Sequence, residues 1–443
     1  MKLINLENYR CFHKKQVAPL APLTLLVGEN STGKTSFLAI IRILWDSVYG
    51  HGDLNFKEPP FDLGSFEQIS HRQSEKSGPA PTFEAGFRAN QSFDANFEFN
   101  DYRSLPRVVN MRLTDGDTCS EIYYDNGNLK MQVSTVRGAW TVSMKNSSLG
   151  RQIPLSPPRH LLSLTIPDVL YHLIYRGRPN YSGKYIPVGD SPTFSKKDAR
   201  SISNANFAVA DFSEERPFVS APVRSRPQRT YDQASWMSDP EGYYAPMLMA
   251  NLASFEEEAW EHLKYELERF GSSAGIFDEI DIKRLGRSGS DPFQVQVRKI
   301  GKKRKGPKQN LIDVGYGISQ VLPILTELLL PKKSGMALLQ QPEVHLHPSA
   351  QAALGTLFCE IASKGRQLII ETHSDFMIDR IRMDVRDQKT NLKPEDVSIL
   401  FFERNDTSVQ IHSIQIDELG NVLNAPDSYG SFFMEETSRS LGF

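Results

Sequence analysis

The chain has 443 residues, 39% of them hydrophobic and 23% charged, and its 51 Lys and Arg against 53 Asp and Glu leave a formal net charge of −2. That length suits one large domain with insertions or two to three smaller ones, with a sizeable core. Near-neutrality excludes a globally polybasic or polyacidic protein, so any nucleic-acid contact must come from a local patch.

Three scattered cysteines, Cys11, Cys119 and Cys359, fit unpaired thiols in a reducing compartment better than a disulfide framework or a zinc site. No apolar run reaches membrane-spanning length, and the opening MKLINLENYRCF is not a signal peptide, so a cytoplasmic protein without membrane contact is expected.

In chain order, KLINLENYRCF reads as a short strand or hairpin, and Leu23 to Val27 as a buried strand. Phe37, Ile40, Ile41 and Leu44 recur at helical spacing, which predicts a helix from Thr35 to Tyr49. Between them, Gly28-Glu29-Asn30-Ser31-Thr32-Gly33-Lys34-Thr35 fits G-x-x-x-x-G-K-[ST] in the strand-to-helix context that the motif demands. Gly28 and Gly33 let the backbone curl so that its N–H groups and the helix N-terminus face phosphate oxygens. Lys34 reaches the β- and γ-phosphates, and the Thr35 hydroxyl is the candidate metal ligand. Asn30, Ser31, Thr32 and Ser36 complete the candidate nucleotide-binding set, with ATP and Mg2+ as the expected cofactors. A glycine-rich turn that merely contains Lys and Thr is the bland alternative, and the placement argues against it.

From Pro79 to Met144, alternating aromatics and the turn signals DGD and DNGN predict an antiparallel meander. Residues 147–239, rich in Pro, Ser and Arg, read as loops and short helices. Within them Arg224, Arg226 and Arg229 precede Tyr231 and could face nucleotide, nucleic acid or Asp232. One long helix is expected between Ala245 and Phe270, then the strand FQVQVRKI and a basic turn where Lys299, Lys302, Lys303, Arg304, Lys305 and Lys308 cluster. Such a run is either a solvated face or a contact to DNA phosphates that weakens steeply with salt.

Gly315 to Gln320 opens a helix whose apolar face includes Val321, Leu322, Ile324, Leu325 and Leu328. MALLQQPEVHLHP, Met336 to Pro348, reads as a buried strand running into a turn, and LIIE, VSILFF and VQIHSIQI as further strands. The closing YGSFFMEETSRSLGF suits core packing or a docking surface. Sheet elements flank a different middle, as expected for one domain with a large insertion. The expected boundaries are an N-terminal lobe over 1–100, an insertion of antiparallel strands and helices over 101–275, and a C-terminal lobe over 276–443.

The phosphate loop, Gly315-Tyr316-Gly317-Ile318-Ser319-Gln320, QQPEVHLHP and Glu371-Thr372-His373-Ser374-Asp375 follow one another in an informative order. In them the sequence resembles the ABC-type ATPases of the SMC, RecF and OLD group, and especially the compact AAA-family members of prokaryotic phage-defence operons. The resemblance covers about Met1 to Ser70 and Asp313 to Ile381. It implies an α/β P-loop NTPase of ABC-ATPase head type with a large mixed α+β insertion. It makes Gly315 to Gln320 the signature segment, with Ser319 touching the γ-phosphate bound to a second subunit. It also makes His345 to Pro348 the D-loop and His373 the switch residue. Nucleotide sandwiched between two heads implies a homodimer or a higher dimer-based oligomer. Septu- or PARIS-type pairs imply a separate effector, a nuclease, that the ATPase holds or regulates.

In that family the strand ends in two acidic residues, where this chain has Gln340 and Gln341. An amide can hydrogen-bond a metal-bound water, but it carries no charge and accepts no proton at neutral pH. Loss of a general base removes about 10²- to 10⁴-fold of rate. Glu343 and Glu371 are the nearby acids that could compensate, and with His373 they form the candidate catalytic set. The expectation is slow or absent hydrolysis, with ATP acting as a clamp; the alternative is an active DNA-dependent ATPase of RecF-like repair type. A metal triad of Glu343, His345 and His347 is a further reading, disfavoured by its coincidence with the D-loop.

Overall fold

The computed structural model describes residues 1–49, 54–72, 78–89, 93–125, 128–144, 186–187, 215–232, 238–301, 304–330 and 335–430. The chain divides into two compact units, one made of residues 1–20, 29–216 and 402–412, the other of residues 21–28, 217–401 and 413–443. Among the described residues no helix is long and apolar enough to cross a membrane. Lys302 and Lys303 of the basic turn lie outside the described residues, as do residues 431–443 of the aromatic, acidic ending.

The chain opens with β1 (Leu3–Glu7), β2 (Gln16–Pro19) and β3 (Leu23–Gly28), followed by α1 (Lys34–Tyr49) and α2 (Phe66–Ile69). Next come β4 (Thr82–Arg88), β5 (Phe93–Tyr102), β6 (Leu105–Asp115), β7 (Thr118–Asp125), β8 (Asn128–Thr135), β9 (Gly138–Met144) and β10 (Ile186–Pro187). All but β3 of these strands form one antiparallel sheet, in the order β10-β9-β8-β7-β6-β5-β4-β1-β2. This is the meander expected from the alternating aromatics, and the DGD signal becomes the tight turn from β6 to β7, with Gly116 at φ 54°. Period-two alternation puts Phe83, Phe87, Phe97 and Phe99 in the core of this unit. There Phe99 stacks on Phe83 at 4.7 Å and meets Phe56 edge-on at 5.9 Å.

The second unit adds β11 (Phe218–Ser220), α3 (Ala245–Phe255), α4 (Glu257–Ala274), β12 (Glu279–Arg284), β13 (Phe293–Arg298), β14 (Gln309–Asn310) and α5 (Tyr316–Leu329). Chain order continues with β15 (Met336–Gln340), α6 (Pro348–Ser363), β16 (Gln367–Glu371), α7 (Asp375–Arg386), β17 (Val397–Asn405) and β18 (Ser408–Ile416), of which residues 402–412 belong to the first unit, and β19 (Val422–Leu423). A second sheet runs β11-β15-β16-β3-β17-β18-β19, with β11, β15, β16 and β3 parallel. Every residue of β3 and β15 is buried, which explains why both read as largely apolar runs, interrupted only by Thr24 and closed by Gln340, rather than alternating ones.

Two expectations needed correction. The stretch read as one helix from Ala245 to Phe270 is two helices, broken at Glu256 with φ −138° and ψ 64°. Composition explains the break: α3 is apolar nearly all round and sinks into the core, whereas α4 buries one face, and Glu257 and Glu258 favour a fresh helix N-terminus. Residues 147–239, read as loops and short helices, also contribute β10 and β11, each too short to show periodicity.

Truncating Phe99 removes a ring that three other aromatics enclose. Phe99→Ala is expected to cost about 3–5 kcal/mol of stability. A change at the exposed Val136 should stay within about 0.5 kcal/mol, both read from urea denaturation.

Candidate nucleotide-binding site

Gly28, at φ 144°, ends β3, and the loop beyond it takes Ser31 to φ 63° and Gly33 to φ 90° before α1 begins at Lys34. A Cβ on Gly33 would lie 2.4 Å from Cys11 Sγ and 3.0 Å from Phe12 Cζ, so the turn between β1 and β2 lies against the loop and leaves room for glycine there. The Cys11 thiol donates to Thr32 O at 3.6 Å, Tyr9 Oη donates to Ser36 O at 3.0 Å, and Thr32 Oγ1 closes the loop on Glu29 O at 2.8 Å. Burial pushes the Cys11 thiol up to about 11. Lys34 is buried, with Nζ donating to Glu29 O at 2.6 Å, while Asn30, Ser31 and Thr35 are exposed. The first turn of α1 contains no carboxylate, which leaves the positive end of its dipole to an anion.

In the second unit the ends of three parallel strands are level: Leu26 of β3 pairs with Glu371 of β16, and Glu371 with Gln340 of β15. Thr372 N donates to Leu26 O at 3.1 Å and Gln341 N to Glu371 O at 2.8 Å, so the row extends one residue into each turn. Gln341 at φ 43° and His345 at φ 66° bend the chain after β15 sharply. The bend carries Glu343 inward: its Oε1 accepts from Thr372 Oγ1 and from His373 N, each at 2.8 Å. Glu343 is 6% exposed, and burial raises its pKa against the opposing pull of those hydrogen bonds and of Arg224. Its Oε2 has no hydrogen-bond partner among the described residues.

Sequence left Arg224 facing nucleotide, nucleic acid or Asp232, and the hydrogen bonds of its side chain run to Gln340, Gln341 and Ser220. Arg224 is 2% exposed, and Nη2 donates to Gln340 O and Gln341 O, both at 2.9 Å. Its Nε reaches Ser220 Oγ at 3.3 Å, and its backbone N donates to Gln320 Oε1 at 3.2 Å. Burial draws this guanidinium down to about 10, with the Glu343 charge opposing. Arg224 therefore ties the end of β15 to α5, a role that sequence reasoning missed. The available signal was an arginine four residues beyond the short strand β11. Arg229, by contrast, is exposed and pairs with Asp313 at 2.6 Å.

The expected signature serine, Ser319, is 6% exposed, and its hydroxyl donates to Tyr316 O at 2.7 Å. The expected D-loop packs on this segment: a Cβ on Gly317 would lie 2.4 Å from His345 O, and the Tyr316 ring meets His345 edge-on at 5.1 Å. Pro323, inside α5, lacks the amide that would bond the Ser319 carbonyl. His347 caps α6, its Nδ1 accepting from Ser349 N at 3.3 Å. Among the described residues no group of three His, Cys, Asp or Glu could hold a metal ion, so the Glu343, His345 and His347 triad is not assembled.

Much of the basic turn is neutralised by β12 and the residue preceding it. Lys305 pairs with Glu279 at 2.6 Å, Lys299 lies 3.8 Å from Asp278, and Lys308 pairs with Asp281. Arg304 is exposed.

Two AAA family models match the chain. One, described as "AAA domain, putative AbiEii toxin, Type IV TA system", matches residues 188–379, and one described as "AAA ATPase domain" matches residues 1–101. A family described as a protein of unknown function matches residues 392–434. No curated protein matches the sequence. Among solved structures, an Smc head bound to the C-winged helix domain of ScpA is 12% identical, with 94% of this chain and 98% of that one covered at a TM-score of 0.45. An Smc head with an extended coiled coil, bound to the C-terminal domain of ScpA from Pyrococcus furiosus, is 12% identical, with 99% of each chain covered at a TM-score of 0.42. The SMC head domain from Thermotoga maritima is 13% identical, with 94% of this chain and 100% of that one covered at a TM-score of 0.35. Residues 1–101 and 188–379 are thus similar to AAA-type ATPase domains, and the described elements form a mixed α/β fold with the phosphate loop between β3 and α1, as expected from the sequence.

The buried Glu343 makes stability depend on pH. Its folded pKa stands above the ordinary 4.5, so the folded state holds the proton more tightly than the unfolded chain does. That contribution is complete below pH about 4.5 and declines as pH rises through the folded value. Glu343→Gln keeps an acceptor for Thr372 and His373 without ionising. Its unfolding midpoint is expected to gain on the wild type across that window, as measured by denaturation at stepped pH.

Proposed function

We propose that the chain is an ATP-binding, ABC-ATPase-like subunit of an anti-phage defence complex. In this reading two copies meet head to head through bound nucleotide, hydrolysis is slow or absent, and the assembly holds or regulates a separate effector, a nuclease. The carrying observation is an intact phosphate loop in a chain whose β15 ends at Gln340, followed by Gln341, instead of carboxylates. The match to an AAA model whose description names a toxin of a type IV system supports the defence setting.

Binding and hydrolysis separate physically at this site. Binding draws on the loop amides, the α1 dipole and Lys34, which exchanges Glu29 O for phosphate oxygen. The Thr35 hydroxyl and the nucleotide's own phosphates are hard oxygen donors suited to Mg2+, which neutralises phosphate charge when bound. Gln340 and Gln341 add no charge to hold the metal. Hydrolysis needs a base. Glu343 is buried with Oε1 already engaged twice, and Glu371 lies in the strand row with its carbonyl bonded to Gln341. Ser319 meets a partner's γ-phosphate by exchanging Tyr316 O for a phosphate oxygen.

The second reading, an active DNA-dependent ATPase of RecF-like type, draws support from the inward turn of Glu343. The ion pairing of Lys299, Lys305 and Lys308 counts against its DNA contact.

Phosphate release with and without DNA separates the two. Wild type is expected to turn over slowly, without stimulation by DNA. The double substitution Gln340→Asp with Gln341→Glu should be about 10²-fold faster or more, and Lys34→Ala should abolish ATP binding. Equal and robust turnover in wild type and double variant would falsify the clamp. Light scattering should also show ATP-dependent dimers that Ser319→Arg prevents.

A further inference from the structure

We propose that Arg404 is a second cation of the phosphate loop, one that binds the phosphates of the nucleotide from the β17–β18 hairpin; this rests on the nucleotide-binding reading above. Residues 402–412 belong to the same compact unit as loop residues 29–35 and the β1–β2 turn. The ties are specific. Phe402 meets Phe12 at 6.1 Å and Phe37 at 5.6 Å, both edge-on, and these rings flank the loop, Phe12 against Gly33 and Phe37 in the first turn of α1. Val409 N donates to Cys11 O at 2.9 Å, and Ile411 N to Gln16 Oε1 at 3.0 Å.

Strand alternation then directs the next side chains. Phe402 and Arg404 point to one side of β17, while Glu403 points to the other, its Oε2 lying 2.8 Å from His412 Nε2. With Phe402 buried against the loop's flanks, Arg404 reaches the loop itself: its Nη2 donates to Ser31 O. The side chain is exposed, and among the described residues it forms no ion pair with Asp or Glu.

Lys34 is held in the same way, its Nζ on Glu29 O at 2.6 Å. The two cations thus rest on the carbonyls either side of Asn30. A carbonyl oxygen is a weaker acceptor than a phosphate oxygen, and a guanidinium has five donors of which Ser31 O engages one. Phosphate in the loop offers both cations a better partner within reach. Arg404 lies outside both AAA matches, in the segment matched by the family of unknown function, and the proposal gives that segment a part in nucleotide binding.

A purely structural clamp on Ser31 O would weaken every nucleotide equally and lower the melting temperature of the free protein. A phosphate ligand discriminates by phosphate number. The test is displacement of a fluorescent ATP analogue by ATP, ADP and AMP from the full chain, in wild type, Arg404→Ala, Arg404→Lys and Lys34→Ala, with melting curves taken without nucleotide. Arg404→Ala is expected to weaken ATP about 10-fold or more, ADP less and AMP least, at an unchanged melting temperature, with Arg404→Lys between. ATP affinity within about two-fold of wild type, or equal losses for all three nucleotides, overturns the proposal. Wild type binding ATP no better than Lys34→Ala overturns it together with the reading beneath it.

Discussion

Leu26, Glu371 and Gln340 stand in one row across β3, β16 and β15, and the turns leaving β16 and β15 carry Thr372, His373 and Glu343. Beyond Leu26 lies the phosphate loop, beyond Glu371 the Thr372-His373-Ser374 turn, beyond Gln340 the bend that carries Glu343. Parallel strands buried on both faces hold such a register firmly, because a slip of one residue reverses every side chain and breaks the packing on each side. The hydrogen bonds from Thr372 to Leu26 and from Gln341 to Glu371 fix the row at its last rung. Glu343 can then bridge from one turn to Thr372 and His373 in the next.

Charge at the end of β15 is arranged unusually. Neutral amides occupy the two positions where the resembled family has carboxylates, yet a buried guanidinium, Arg224, bonds the backbone carbonyls of those same residues. Its electrostatic counterpart is Glu343, one turn further on. A buried charge is tolerable when hydrogen bonds and an opposite charge offset its lost hydration. The Arg224 guanidinium has three such bonds, to Gln340 O, Gln341 O and Ser220 Oγ, and its backbone N separately donates to Gln320 Oε1. Gln320 adjoins Ser319, so one residue, through its backbone on one side and its guanidinium on the other, joins the segment expected to meet a partner subunit to the strand end expected to govern hydrolysis.

Much of this was legible in sequence because the signals were local. Gly28 to Thr35 could be read as a loop between β3 and α1, since glycine positions, a buried apolar run and helical periodicity coincide within thirty residues or so. The meander of β4 to β9 showed itself through period two. Other features depended on contacts between distant residues. Nothing near Arg224 says that it is buried against residues 116 and 117 positions away. The break at Glu256 was hidden because both flanking segments are helical on their own terms, and only a change in how each is buried separates them. The basic turn looked like a cationic patch because Asp278, Glu279 and Asp281 lie on the far side of a hairpin.

The hairpin that supports the phosphate loop has a bearing on how the protein is made. Ser31 and Arg404 are 373 residues apart in sequence, and Gln16 and Ile411 are 395 apart. Closing so long a loop costs only about 2 kcal/mol more than closing one of about thirty residues. During synthesis, however, the early segment emerges from the ribosome long before its far partner exists. Until translation passes Phe402, the rings of Phe12 and Phe37 lack that partner. The contacts of Phe402 and Arg404 with the loop and its flanks therefore form only after residue 404 has been translated, long after the motif itself appears.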